Sequence, residues 1–229
     1  MAKKSSKTIN ITSERKQIGK VEIIKAYMEY LLKNHKQPES MYQFAGILGM
    51  KESEVYKHFA SFTAIEQTIF ESFFEHAISL LLKDKSYNDY DAKNKLLSFY
   101  YTFFEILKEN RSYVIYSLEK RPWNEVLKNL KKLHTHFIKY IDCIGLETIN
   151  LQNEDLNRIK QKGLNEIAWS QLLATLKYWL EDDSAGFEKT DLFIEKSLKA
   201  SFELINTEPL DSVIDLTKFL FREKFSMNN

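Results

Sequence analysis

The sequence predicts an all-α fold, and two main observations lead to this class. Gly and Pro are scarce, since the 229 residues include 6 Gly and 3 Pro, about 4% of the chain against about 12% in an average protein. Folds rich in tight turns, such as β-sandwiches and barrels, are therefore excluded. Apolar residues recur at spacings of three and four along most of the chain, which is the pattern of amphipathic helices. No segment of the sequence is predicted to form a β-strand.

The first helix is predicted over about residues 17–34, where apolar side chains form one helical stripe. That stripe consists of Val21, Ile24, Met28, Leu31 and Leu32. Ser40 and Gln43 then form a capping box that begins a short helix. Gly49 can take the left-handed conformation that ends this helix, and a second short helical segment is predicted over 52–58.

The rest of the chain predicts longer helices separated by polar turns. These helices cover about residues 62–83, 91–109, 111–120, 123–143, 155–181, 187–206 and 210–225. Pro122 suits the first turn of the helix that follows it, and Gly163 is a position where a helix could kink. We expect residues 145–153 to form a loop and 182–186 to form a turn.

Composition limits the class of protein further. With one cysteine, Cys143, the chain cannot form an internal disulfide. The most apolar run, residues 96–107, is interrupted by polar residues and is too short to span a bilayer. Residues 1–16 are basic and polar without the apolar stretch of a signal peptide, so we expect them to form a disordered tail. These features predict a cytoplasmic protein without a membrane span.

Two of the predicted helices form a helix-turn-helix pattern, because they are short and joined by a turn that contains Gly. Phe44 and Ala45 face inward on the first helix, and Val55 and Phe59 anchor the second. This arrangement can lay a helix in the major groove of DNA. Any two short helices in a bundle can imitate the pattern, so the surrounding residues decide how it is interpreted.

Residues 44–61 resemble the DNA-binding domain of TetR-family repressors. The shared features are the inward Ala45, the turn residue Gly49 with an apolar residue after it, and the Val-Tyr-x-His-Phe-x-Ser ending. The resemblance extends over about residues 18–75, with one amphipathic helix before the motif and one long helix after it.

The resemblance implies both an architecture and a function. A three-helix, helix-turn-helix domain over residues 17–62 would follow the tail, and residues 63–229 would form a TetR-like helical domain for effector binding and dimerisation. The implied function is that of a ligand-responsive DNA-binding transcriptional regulator, a repressor, which acts as a homodimer on a palindromic operator. The partners would be double-stranded DNA, a second copy of the chain and a small apolar effector.

The resemblance also implies which residues contact DNA. Carried over by position, Tyr56 and His58 would contact phosphates. Glu52, Ser53 and Lys57 would lie near base edges or the DNA backbone. The whole predicted set is Lys51, Glu52, Ser53, Tyr56, Lys57 and His58.

The charge distribution supports contact with DNA. Residues 1–62 carry 11 Lys and Arg against 6 Asp and Glu, a net charge of +5, whereas the remaining residues carry 22 against 26, a net charge of −4. A basic N-terminal unit on an acidic body is typical of a DNA-binding protein.

The motif departs from the family pattern at several positions. Lys51 stands where the family has a Ser that caps the recognition helix, and Phe62-Thr63 stands where it has Lys-Glu. Glu52 and Glu54 would repel phosphates. These departures favour an alternative function, that of a TetR-like helical protein that binds a lipid or isoprenoid without specific DNA binding.

A second resemblance supports that alternative. The pattern Tyr-Trp-Leu-x-Asp-x-Ser-x-x-Phe-x-x-Thr, which begins at Tyr178, resembles the C-terminal helices of the TetR-like lipid-binding proteins of ubiquinone biosynthesis. The similarity covers about residues 178–222. It implies an architecture and a class of ligand rather than individual binding residues.

Apolar residues in the C-terminal part suggest an interface and a pocket. The predicted dimer interface, an isologous four-helix contact, consists of Leu172, Leu176, Trp179, Ile194, Leu198 and Phe202. The alternative is that both helix faces are buried inside the subunit. The predicted wall of an apolar ligand pocket consists of Phe99, Phe103, Tyr113, Tyr116, Trp123, His134 and Phe137. The alternative for these residues is the protein core.

We found no sequence motif for catalysis or metal binding. The chain lacks a Gly-rich phosphate loop, a His-Glu-x-x-His motif, a Cys pair and a nucleophile elbow. His134 and His136 are two residues apart on a helix and point to different sides. The sequence therefore predicts neither an enzyme nor a cofactor or metal site.

Overall fold

The computed structural model describes residues 18–119, 121–145 and 154–205. These residues form ten α-helices and two short 3-10 helices and contain no strand, which confirms the all-α prediction. The α-helices are α1 (Lys20–Asn34), α2 (Met41–Leu48), α3 (Glu52–Val55), α4 (Phe62–Leu81), α5 (Ala92–Glu109), α6 (Arg111–Leu118), α7 (Trp123–Asn129), α8 (Lys131–Ile144), α9 (Glu154–Glu181) and α10 (Glu188–Ile205). The 3-10 helices are Lys85–Asp89 and Ala185–Phe187.

The chain divides into two compact units, residues 1–61 and residues 62–229. The first unit holds α1 to α3 and the second holds α4 to α10. The predicted tail over 1–16 and the predicted helix over 210–225 lie outside the described residues, as does nearly all of the predicted loop over 145–153.

Helix α1 buries only part of the predicted stripe, since Leu31 is fully buried whereas Ile24 and Met28 are half-buried. The side chains of Val21 and Leu32 are 59% and 37% exposed, so the prediction was wrong at these positions. Tyr27 is fully buried instead, with its ring edge-on to Phe44 at 5.7 Å between centroids. Its hydroxyl accepts a hydrogen bond of 2.8 Å from Gln37 Nε2, which satisfies the buried polar atom. The buried residues of α1 are Ile23, Tyr27 and Leu31.

Helix α2 begins and ends through local contacts. Ser40 Oγ accepts a hydrogen bond of 3.1 Å from the Gln43 N–H, as predicted. The Gln43 side chain accepts from the Glu39 N–H at 2.7 Å, one residue before the position expected in a capping box. Gly49 ends the helix with φ of 67°, which confirms the predicted left-handed cap. These contacts fix the boundaries of the helix within the segment itself.

In the second unit, α4 packs against α5, α7 and α8. Helix α9 contacts α8 and α10, and α10 also contacts α5. Helix α5 is buried around most of its circumference, as its apolar sequence predicts. Its buried residues are Leu96, Phe99, Tyr100, Phe103, Phe104, Ile106 and Leu107.

The helix predicted over 123–143 is in fact two helices, α7 and α8. They are separated at Leu130, which has φ of −87° and ψ of 4°. The sequence does not indicate this break, because Val126, Leu130 and Leu133 keep the apolar spacing of one continuous helix. All three side chains are buried.

Helix α9 runs as one helix of 28 residues through Gly163, where the sequence allowed a kink. Glycine, unlike proline, keeps the backbone N–H that the helical hydrogen bonds require. Among the described helices, none has the length and apolar character needed to cross a membrane.

Candidate functional site

The predicted helix-turn-helix segment consists of α2, a turn over residues 49–51, and α3. The Met50 N–H donates to the Ala45 carbonyl oxygen at 3.1 Å and completes the end of α2. Helix α3 is a single turn, and residues 56–58 continue it as a turn. Val55 and Phe59 are buried, so they anchor the segment in the first unit.

The residues predicted to contact DNA lie at the surface of the first unit. Glu52 is half-buried, and the other five are exposed. Tyr56, which is 50% exposed, donates a hydrogen bond of 3.2 Å from its hydroxyl to Glu52 Oε1. Desolvation and then this carboxylate raise the pKa of the Tyr56 phenol, so the phenol stays protonated and can donate to an acceptor. Contact with DNA itself remains a prediction.

Glu54 compensates for the missing capping side chain. Lys51 precedes α3 and its side chain makes no capping hydrogen bond. Glu54 Oε2 accepts from the Lys51 N–H at 2.7 Å. A carboxylate in the first turn also complements the positive end of a helix. Glu54, one of the two acidic residues expected to repel phosphates, therefore has a local structural role.

Four of the predicted pocket residues pack in the core of the second unit. Phe99, Phe103, Tyr113 and Phe137 are each no more than 1% exposed. The Phe99 ring stacks on Phe103 at 5.4 Å and meets Phe137 at 5.6 Å between centroids. Direct packing of these rings supports the alternative that they form the core.

The other three predicted pocket residues lie apart from these. Tyr116 is half-buried, and Trp123 is 51% exposed. His134 is half-buried and places its Nε2 3.3 Å from Glu166 Oε1, with its ring 4.9 Å from the Trp169 ring. Of the predicted set, Trp123 lines the cavity described next.

A cavity of about 500 Å³ lies between α6, α7 and α9. Its apolar lining residues are Leu118, Trp123, Val126, Leu173, Leu176 and Leu180. Its charged lining residues are Glu119, Arg121, Lys177 and Glu181. The volume lies within the range of about 300–1,000 Å³ for sites that bind small molecules.

One cavity residue forms an ion pair with α4. Arg121 donates two hydrogen bonds, of 2.7 and 2.8 Å, to the carboxylate of Glu66. Glu66 is 1% exposed, and such a buried charge requires a partner. The sequence offered one signal of this contact, a Glu on the apolar face of a predicted helix, but no indication of which cation lies opposite.

A second polar cluster joins α4 to α8. Glu71 accepts from Lys132 Nζ at 2.7 Å and lies 3.0 Å from His136 Nε2. Burial raises the pKa of Glu71, but Lys132 and His136 outweigh it and hold the pKa below its ordinary value. Glu71, Glu75 and His136 each offer one potential metal-ligand atom, and these three atoms lie within 4.8 Å of one another. In the sequence, the only indication of this cluster is that Glu71 and Glu75 are four residues apart, which places them on the same side of a helix. Lys132 and His136 account for the charge of Glu71 without a metal.

The residues predicted for the dimer interface are mostly buried in their own subunit. Leu172, Leu176, Trp179, Ile194 and Leu198 are each at most 4% exposed, and Phe202 is half-buried. The inner faces of α9 and α10 are covered by α8 and α5, which supports the alternative of burial inside the subunit. Among the side chains of these helices that the structure describes, the exposed large apolar ones are Ile167, Tyr178 and Leu192.

The motif that begins at Tyr178 forms the corner between α9 and α10. Asp182 accepts four hydrogen bonds, of 2.6 to 2.9 Å, from the backbone and hydroxyl groups of Ser184 and Thr190. Burial raises the pKa of Asp182, but these bonds outweigh it and lower the pKa to about 2. The conspicuous polar residues of this motif therefore hold a turn.

Arg111 completes the same corner from α6. Its guanidinium lies 4.4 Å from the Trp179 ring centroid and 4.5 Å from that of Phe187. It also donates to the carbonyl oxygens of Trp179 at 3.1 Å and Leu180 at 3.2 Å. A cation suits these carbonyl groups because they form the negative end of α9.

Comparison with known families identifies the C-terminal part of the chain. Residues 95–220, more than half of the chain, match the family described as tetracyclin repressor-like, C-terminal domain. The match begins in α5 and extends past α10. No curated protein matches the chain. Because the all-helical fold agrees with this match, the chain belongs to the TetR family of regulators.

Proposed function

We propose that this TetR-family regulator is a DNA-binding transcriptional repressor that acts in the cytoplasm as a homodimer and responds to a small effector. The observation that carries the proposal is the α2–turn–α3 segment, with an exposed Tyr56, Lys57 and His58 directly after the anchoring Val55. Family membership supports a regulator in general. The segment supports DNA as the partner.

The side chains of this segment suit the DNA backbone. Lys57 supplies a positive charge, and the protonated Tyr56 hydroxyl could exchange its bond to Glu52 for one to a phosphate oxygen. The net charge of +5 on residues 1–62 adds long-range attraction that depends on salt. Glu54 caps α3 rather than projecting free, which reduces the expected repulsion.

A homodimer would pair the outer faces of α9 and α10. Tyr178 and Phe193 stack at 4.6 Å between ring centroids and 8° between planes, and Tyr178 is 38% exposed. Ile167 and Leu192 extend this apolar surface, at 55% and 49% exposed. Pairing with the same surface of a second copy would be isologous. The two recognition segments would then bind half-sites about 34–36 Å apart on a palindromic operator.

The test is binding to DNA from upstream of the protein's own gene, measured by fluorescence anisotropy over a series of salt concentrations. Tyr56→Ala should weaken specific binding about tenfold, the value of one charge-assisted hydrogen bond. Lys57→Ala should also weaken binding and lower the salt slope by about 1. Lys139→Ala, an exposed position on α8, is the control with the same change of charge.

Two results would count against this function. If the wild-type protein binds all DNA fragments with the same weak affinity, the repressor proposal fails. If Lys139→Ala weakens binding as much as Lys57→Ala does, then α3 is not the contact surface.

The alternative is a lipid- or isoprenoid-binding protein without specific DNA binding. The apolar residues of the cavity beside α9 favour it. The polar residues of the motif at Tyr178 do not favour this alternative, because Asp182, Ser184 and Thr190 hold the corner between α9 and α10 by hydrogen bonds. Native mass spectrometry of the purified protein would reveal a bound lipid, and uniform weak DNA binding together with such a lipid would select this alternative.

A further inference from the structure

We propose that the cavity between α6, α7 and α9 binds an amphipathic organic cation, a molecule with an apolar or aromatic body and one positively charged centre. Such a cation would be the effector of the proposed repressor, and only this regulatory role rests on the proposed function. The binding itself can be tested without DNA.

The shape and lining of the cavity suit an apolar body. The volume of about 500 Å³ accommodates a ligand of several rings. Leucine side chains from α6 and α9 and Val126 from α7 form much of its apolar lining. Trp123 is 51% exposed although it is the largest apolar side chain of the lining. An accessible indole face attracts cations more strongly than the faces of other aromatic side chains.

The charges of the lining favour a positive ligand. Arg121 is neutralised by its two hydrogen bonds to Glu66. Among the described residues, none forms an ion pair with Glu119 or Glu181. Among the lining residues that the structure describes, Lys177 is the remaining cation, and these residues together retain a net charge of −1.

Arg111 does not reverse this balance. Its positive charge acts on Glu119, but its guanidinium is held by the Trp179 and Leu180 carbonyl oxygens. The carboxylate of Asp182 acts on the same guanidinium. The charge of Arg111 is therefore balanced within the corner between α9 and α10.

An anionic ligand could pair with Lys177, but it would meet an energetic obstacle at Arg121. To pair with Arg121, it would have to take that guanidinium from Glu66. Glu66 is 1% exposed, and removing the partner of a buried charge is strongly unfavourable. A cation leaves this ion pair intact and meets Glu119, Glu181 and the Trp123 face instead.

The experiment compares two ions of nearly equal size and shape and opposite charge, tetraphenylphosphonium and tetraphenylborate. Binding of each to the full-length protein is measured by isothermal titration calorimetry. We expect the phosphonium to bind at least tenfold more tightly than the borate. Equal affinities, tighter binding of the borate, or no binding of either ion would overturn the proposal.

Variants test where the cation binds. Glu119→Gln together with Glu181→Gln should weaken binding of the phosphonium at least tenfold, and Trp123→Leu should weaken it several-fold. Glu109→Gln, an exposed position at the end of α5, should leave the affinity unchanged. If the double variant binds as the wild-type protein does, the cation does not occupy this cavity.

A separate measurement distinguishes this inference from the proposed function. DNA binding is measured with and without tetraphenylphosphonium. If the cation binds as expected but the protein has no specific affinity for DNA, the cavity assignment stands and the repressor proposal fails. If specific DNA binding is found but neither ion binds, the repressor proposal stands and the cavity assignment fails.

Discussion

The polar contacts cited for the first unit are local, whereas the second unit combines local contacts with contacts between distant residues. In the first unit, Ser40 caps α2 from three residues away and Gly49 ends the same helix. In the second unit, Glu66 pairs with Arg121 across 55 residues of sequence, and Arg111 binds the end of α9 across 68. Spacing in the sequence indicates contacts of the first kind. Contacts of the second kind exist only once the helices have packed.

The same difference separates the two proposed sites. The proposed DNA-binding surface belongs to one short segment, so a sequence motif can indicate it. The cavity takes its lining from α6, α7, α9 and the residues between α6 and α7, and no continuous motif contains it. If this comparison is correct, substitutions at distant pairs should cost more stability than substitutions at local caps.

The largest effect is expected at Glu66. Glu66→Gln leaves Arg121 without its bidentate carboxylate, so we expect the free energy of unfolding of the second unit to fall by about 3–5 kcal/mol. Urea denaturation followed by far-UV circular dichroism measures this change. Replacing both residues by Leu should recover most of the loss, since an apolar pair needs no charge compensation. A Glu66→Gln variant as stable as wild type would show that the pair contributes little.

The next effect is expected at Asp182. Asp182→Asn weakens the hydrogen bonds from Ser184 and Thr190, and we expect a loss of about 1–3 kcal/mol. The control is Asp183→Asn, because Asp183 is exposed and its partner is the exposed Lys189. If both variants lose the same stability, the corner is not held by Asp182.

The contribution of Asp182 should also depend on pH. Its pKa is about 2 in the folded protein against an ordinary value of 3.8. The unfolded state therefore takes up the proton first, so the stabilisation is complete above about pH 4 and is lost as the pH falls toward 2. Unfolding free energies measured over this range should show a shrinking difference between wild type and Asp182→Asn. A difference that stays constant would contradict the lowered pKa.

A smaller effect is expected at the end of α2. Gly49 has φ of 67°, so Gly49→Ala should destabilise this helix by about 1–2 kcal/mol. Gly46 lies inside α2 with no atom within 4 Å of an added Cβ, so Gly46→Ala should stabilise the helix by about 0.5–1 kcal/mol. Hydrogen exchange of the α2 amides measures both. Effects of the same sign would contradict this account of the left-handed cap.

The smallest effect is expected at the start of α2. Ser40→Ala removes the acceptor for the Gln43 N–H, and we expect a loss of about 1 kcal/mol. Ser40→Thr keeps a hydroxyl and should lose less. The same hydrogen-exchange experiment measures both variants. Equal losses would mean that the hydroxyl does not carry the capping effect.

Much of the fold was predictable because helices obey local rules. The scarcity of Gly and Pro excluded β-rich folds, and apolar spacing together with turn and proline positions located α4, α5, α6 and α10 to within about two residues. The same spacing failed at Leu130, where the chain breaks a helix without leaving the core. It also failed in α1, where Tyr27 rather than Val21 and Leu32 faces inward. Aromatic residues with one polar atom fit either surface, so spacing alone could not choose.

The candidate sites divide in the same way. The sequence predicted the segment with Tyr56 and Lys57 because its cap, turn and anchors all lie within one short stretch. It also predicted a cavity from aromatic density, but Phe99, Phe103 and Phe137 pack against one another in the core. Composition cannot distinguish a ring that faces a space from one that fills it.

By itself, the sequence determined the helical class, most helix boundaries and the pair of short helices α2 and α3 with the turn between them, because each depends on residues a few positions apart. Tertiary structure decided which apolar faces of α9 and α10 are buried, where the cavity lies, and that Glu66 pairs with Arg121. The physical reason is that burial and buried charge depend on what packs opposite a side chain. That neighbour is often more than fifty residues away, as Arg121 is from Glu66.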